Sequence, residues 1–107
     1  MHDLFGGNRK EQLEELRRYH ERLRSVVSDL LSQADEIDQH SRYAGTADSL
    51  WAKQLRDACN ELVRLGDELP RIEQLLQEKK VKEGRDVILA SCRKAEELAK
   101  RLRSIRR

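Results

Sequence analysis

The chain has 107 residues, 37% of them hydrophobic and 39% charged, with only four aromatics: Phe5, Tyr19, Tyr43 and Trp51. This composition is too poor in strand formers for a sheet and too lean for a broad globular core, but it suits long amphipathic helices that bury one narrow stripe. The 22 basic and 20 acidic residues leave a net charge of +2, so no global field draws the chain to nucleic acid or to a membrane, and an electrostatic function needs local clustering.

Residues 1–7 read as a flexible leader ahead of a single domain over 8–107. Gly6 and Gly7 disfavour helix, while Leu4 and Phe5 offer apolar side chains to tuck against a bundle. The first helix is predicted to start at Asn8, whose side chain can accept from free backbone N–H groups, with Glu11 three residues on as in a capping box. Along it runs Leu13, Leu16, His20, Leu23, Val27, Leu30, Ala34, Ile37. Alternating steps of three and four keep these residues on one face. The helix is expected to end near Gln39 or Ser41, about 50 Å from its start at 1.5 Å per residue.

His40 to Thr46 is predicted as the first turn, with Gly45 free to take positive φ and Thr46 or Asp48 available to cap the next helix. The second helix, about Ala47 to Glu78, carries Trp51, Leu55, Ala58, Leu62, Leu65, Leu69, Ile72 and Leu76. Pro70 lies inside it and removes one hydrogen bond, crowding the carbonyl four residues back, which belongs to Gly66. Either the helix kinks and continues, or Gly66 ends one helix and Asp67 caps another with Pro70 in its first turn. The stripe keeps its phase from Leu62 to Ile72, which favours the kinked, continuous helix.

Lys79 to Gly84 is predicted as the second turn. The third helix is expected from Arg85 to Ser104, with Ile88, Cys92, Ala95, Leu98, Ala99, Leu102 and Ile105 on its stripe and Val87 and Leu89 widening it at the start. The expected fold is all-α, an antiparallel up-down-up three-helix bundle. A third helix shorter than the others would leave part of the second stripe, or the Leu13 end of the first, uncovered and open to a second copy or another protein.

His20 is the one polar interruption of the stripes. The run His20-Glu21-Arg22-Leu23-Arg24-Ser25 resembles the histidine box of sensor-kinase dimerisation helices, which implies a phosphoryl-accepting imidazole. That box usually carries a proline or asparagine soon after the histidine, where this chain has Ser25-Val26-Val27. The alternative is a boundary histidine that packs on one face and hydrogen-bonds at the rim.

Metal ligation finds no clustered donors. No Glu-x-x-His pair occurs, and Glu36 with His40 is an ordinary i, i+4 helix pair. Cys59 and Cys92 read as small buried thiols, with no CxxC and too few thiols for a zinc site. No cofactor and no catalytic constellation is expected, so the chain is read as non-enzymatic.

The run ending in Lys100, Arg101, Arg103, Arg106 and Arg107 contains no acid. It offers a basic surface for nucleic acid or anionic lipid, or simply complements a helix C-terminus and stays solvated. Without an aromatic beside it to stack on bases, single-stranded RNA is disfavoured. Trp51 is expected to anchor the start of the second helix against a neighbour such as Tyr43, with a partner contact as the alternative.

Arg93-Lys94-Ala95-Glu96 resembles the basic-basic-aliphatic-glutamine step of BAG-class cochaperone modules, three-helix domains that bind the ATPase domain of a heat-shock chaperone through their last two helices. Glutamate stands where that family has glutamine, and the second helix does not follow the pattern, so no binding residue carries over.

The function expected from the sequence is therefore a protein-interaction module (adaptor, assembly factor or small subunit) acting through another protein or as a homodimer. The alternatives are a nucleic-acid-associated protein and a phosphotransfer module on His20. A cytoplasmic location follows from the absence of a signal-like leader and of any run near the roughly 18 apolar residues of a membrane span.

Overall fold

The computed structural model describes residues 8–44 and 49–106. The leader at 1–7, the residues at 45–48 on which a glycine turn and a cap were expected, and Arg107 lie outside them. Three helices pack against one another: α1 (Arg9–Ala44), α2 (Ser49–Gln77) and α3 (Val81–Arg106), and the described residues contain no strand. The molecule is a rod, 55 × 27 × 17 Å, and its 55 Å axis matches the length of α1. Its radius of gyration, 16.7 Å, exceeds the roughly 13 Å of a rounded domain of this length.

The helix α1 starts as the sequence predicts, with the Glu11 backbone N–H donating to Asn8 Oδ1 at 2.9 Å. It continues to Ala44, past the expected end near Gln39 or Ser41. Neither glycine nor proline interrupts it before Gly45. The helix α2 passes through Pro70 without a break, so the division at Gly66 is excluded. Continuity is what is established there; a kink is not. Gly66 leaves its proline neighbour room, and a Cβ built on it would come only to 4.0 Å from Val27 Cγ1.

The second turn differs from the expected Lys79 to Gly84. It is shorter, and α3 begins at Val81, four residues before the expected Arg85. The chain reverses in a Schellman motif: Lys80 N–H donates to Leu75 O at 2.9 Å and Lys79 N–H to Leu76 O at 3.0 Å. Lys79 takes the left-handed conformation, φ 61°, that glycine usually supplies. Gly84 serves elsewhere. It sits inside α3 at a close approach to α2, where a Cβ would lie 3.1 Å from Leu76 Cδ2. Replacing Lys79 by glycine is expected to raise stability by about 1 kcal/mol, because it removes the left-handed strain without disturbing packing. A chemical melt measures this, and an unchanged or lower midpoint would mean the lysine side chain contributes more than its strain costs.

The three stripes meet in one aliphatic core. Leu16, Ala58, Leu62, Ile72 and Leu98 are wholly buried, and all eight stripe positions of α1 are covered. Trp51, Leu69, Cys92 and Ala99 are half-buried at its edge. Because α3 starts early, Leu13, Leu16 and Leu76 are buried, and the uncovered end expected from a short third helix does not exist. Val87 packs against the core as expected, whereas Leu89 stays exposed. Among the described residues, no helix is long and apolar enough to cross a membrane.

Candidate interaction surface

His20 is buried, 7% exposed, and its Nε2 lies 3.0 Å from the Leu69 carbonyl oxygen. A carbonyl oxygen can only accept, so Nε2 carries the proton and donates. The bond joins α1 to α2 at the residue preceding Pro70. A phosphoryl acceptor has to reach its donor across open surface. This ring is instead packed inside the bundle with one nitrogen engaged, an arrangement that disfavours phosphotransfer on His20. Its role is to satisfy polarity where the stripe crosses α2.

Trp51 packs half-buried against the core at the start of α2, and the side chain of Tyr43, its expected neighbour, lies outside the described residues. The indole Nε1–H donates to Ile105 O at 3.2 Å. That carbonyl is among the last of α3, which have no intrahelical donor, so the start of α2 caps the end of α3.

The basic C-terminal run is divided. Arg101 and Lys94, seven residues apart on α3, both clamp the Glu61 carboxylate of α2. Lys94 first and then Arg101 hold that carboxyl below the ordinary glutamate range, and Glu61 in turn raises Lys94. Arg101 is thus engaged in helix pairing, while Lys100 and Arg103 are exposed. The Arg106 side chain and Arg107 lie outside the described residues. Sequence periodicity could not find this clamp, because Glu61 is 40 residues from Arg101.

A depressed carboxylate contributes stability above its unfolded pKa and loses that contribution as pH falls through the folded value. The Glu61 clamp is therefore expected to weaken below about pH 4.3, the usual glutamate value. Glu61→Gln should cost up to about 1 kcal/mol at neutral pH and flatten the acid limb of a stability profile. Equal slopes in the two proteins would show that the clamp is not coupled to folding.

Burial, followed by the charges of Asp38 and Asp35, raises the pKa of the Cys59 thiol, while burial and Glu96 raise that of Cys92. His20 meets Leu69 and Val27 faces Gly66, so α1 and α2 run antiparallel, with α1 advancing from 20 to 27 as α2 falls from 69 to 66.

Within that register, one turn beyond Val27 is Leu31, and level with it, three residues before Gly66, is Val63. Both are bare: Leu31 is 42% and Val63 57% exposed. Each follows a buried stripe residue, Leu30 and Leu62, and helical periodicity in this register turns both to the outer side of the α1–α2 seam, along which half-buried Cys59 and Gly66 and exposed Pro70 follow on α2. Neither Leu31 nor Val63 was singled out in the sequence, because both stand one position outside the stripes. Val26 and Leu89 are also exposed, on α1 and α3.

No group of three or more His, Cys, Asp or Glu side chains that could hold a metal occurs among the described residues. No family model, no curated protein and no solved structure matches the chain significantly. The BAG-like step at Arg93 to Glu96 accordingly has no family match behind it.

Proposed function

We propose that this chain is a non-enzymatic protein-interaction module, an adaptor, assembly factor or small subunit, that docks through the α1–α2 seam. The observation that carries this reading is the exposure of Leu31 and Val63 on helices whose own stripes are buried or half-buried. The core does not need these two side chains, and exposed aliphatic groups at the centre of a charged face are what a partner can dehydrate. The bundle would supply rigidity and the seam recognition.

Nucleic-acid binding through α3 is the weaker reading. Arg101 is drawn into the Glu61 clamp, leaving Lys100 and Arg103 as the exposed described members of the basic run.

The reading is tested with a tagged full-length chain and its Leu31→Glu, Val63→Glu variant. Both substitutions are on the surface and should leave the melt unchanged. The native chain should form a complex of defined stoichiometry, with itself or with another protein, and the variant should lose it. A native chain that forms none, or a variant that keeps it, overturns the reading.

A further inference from the structure

The seam carries a charge pattern with a twofold character. On α1, Arg24 stands seven residues before Leu31 and Asp35 four after it. On α2, Arg56 stands seven before Val63 and Asp67 four after it. Four, seven and eleven residues are close to one, two and three helical turns, so each arginine, aliphatic residue and aspartate lie along one face of their helix. All four charged residues are exposed. Arg24 has Glu21 at 3.6 Å, and Asp35 accepts from Gln39 at 3.1 Å, both contacts within α1 that leave the two side chains exposed.

We infer that the occupant of the Leu31–Val63 seam is a second copy of this chain, seated on a twofold axis through the seam. This rests on the proposed interaction role and names its partner. A twofold axis lying in the face and crossing the helices inverts the direction of each helix. It places Leu31 on Leu31 and Val63 on Val63 of the copy. Arg24 then falls within about 5 Å along the axis of the copy's Asp35, and Arg56 within the same distance of its Asp67, well inside the reach of an arginine. An axis running along the helices instead sets Arg24 against Asp67 and Asp35 against Arg56. Either way arginine meets aspartate, because the pattern is its own complement, as an isologous interface requires. A face two helices wide and about 30 Å long offers roughly 600 Å² per copy, at the low end of specific interfaces. The dimer should accordingly be reversible and concentration-dependent.

Sedimentation equilibrium of the full chain over a range of concentrations tests the inference. The native chain should pass from monomer to dimer as concentration rises. Arg24→Asp with Arg56→Asp should weaken the association at least about tenfold, since attraction becomes repulsion at symmetry-related places. Reversing all four charges (Arg24→Asp, Asp35→Arg, Arg56→Asp, Asp67→Arg) should restore it under either axis. Val63→Glu should abolish it with the helix content unchanged. A native chain that stays monomeric, an association indifferent to Val63→Glu, or a fourfold reversal as weak as the double one overturns the second-copy inference. If the chain stays monomeric yet forms a stoichiometric complex with a different protein that Val63→Glu removes, the interaction role stands and the second copy alone is wrong.

Discussion

Replacing Pro70 by alanine is expected to stabilise the bundle by about 2 kcal/mol. Proline inside a helix costs about 3 kcal/mol relative to alanine, through a missing N–H and a clash with the carbonyl four residues back. Here that carbonyl belongs to Gly66, and α2 continues through both residues. Pro70 is exposed, so its ring contributes little burial that alanine would lose. Part of the gain is offset by the freer unfolded chain once the ring is gone, about 0.4–1 kcal/mol. The bond from His20 to Leu69 O should survive, since the alanine variant keeps that carbonyl at its place in the helix. Chemical denaturation measures the difference. A loss of stability would mean that proline shapes α2 in a way the His20 contact requires.

Leu62→Ala should be among the most damaging single truncations, lowering the unfolding free energy by about 3 kcal/mol. Leu62 is wholly buried at the middle of α2, with Leu65 and Ala58 buried around it. Truncation removes the transfer free energy of the lost carbons and leaves a cavity that long, straight helices close poorly, for a total in the range of about 2–5 kcal/mol. Against a typical stability of roughly 5–15 kcal/mol, the variant would remain folded at low temperature but melt far earlier. The neighbouring Val63→Ala, on an exposed side chain, should change stability by less than about 0.5 kcal/mol. The contrast between adjacent residues is the check: similar effects at 62 and 63 would place the stripe wrongly.

The stripes were the legible part of this protein. Every aliphatic position in the α1 series from Leu13 to Ile37 is buried, because step spacing alone decides which face of a helix a residue occupies. His20 was visible as an interruption, but its partner was not: a backbone carbonyl 49 residues away has no side-chain signature. The second turn was misread for a definite reason. Glycine is the usual left-handed residue, whereas here Lys79 takes that conformation and Gly84 lies inside α3, close to Leu76. Starting α3 too late then predicted an uncovered end that does not exist. Leu31 and Val63 escaped notice because periodicity finds what is buried, while an interface of this kind is built from aliphatic residues just off the stripe. Their adjacency depends on the register of α1 against α2, which only packing sets.

On the proposed reading, the face this protein presents to a partner is the α1–α2 seam. Nitrogen-15 heteronuclear spectra of the labelled chain, followed as complex forms with rising concentration, test it residue by residue. Shifts are expected at Leu31 and Val63 and along residues 24–38 and 56–70, with the interior amides of Leu98 and Leu102 unmoved. Shifts confined to α3 around Lys100 and Arg103, with residues 31 and 63 unchanged, would contradict it.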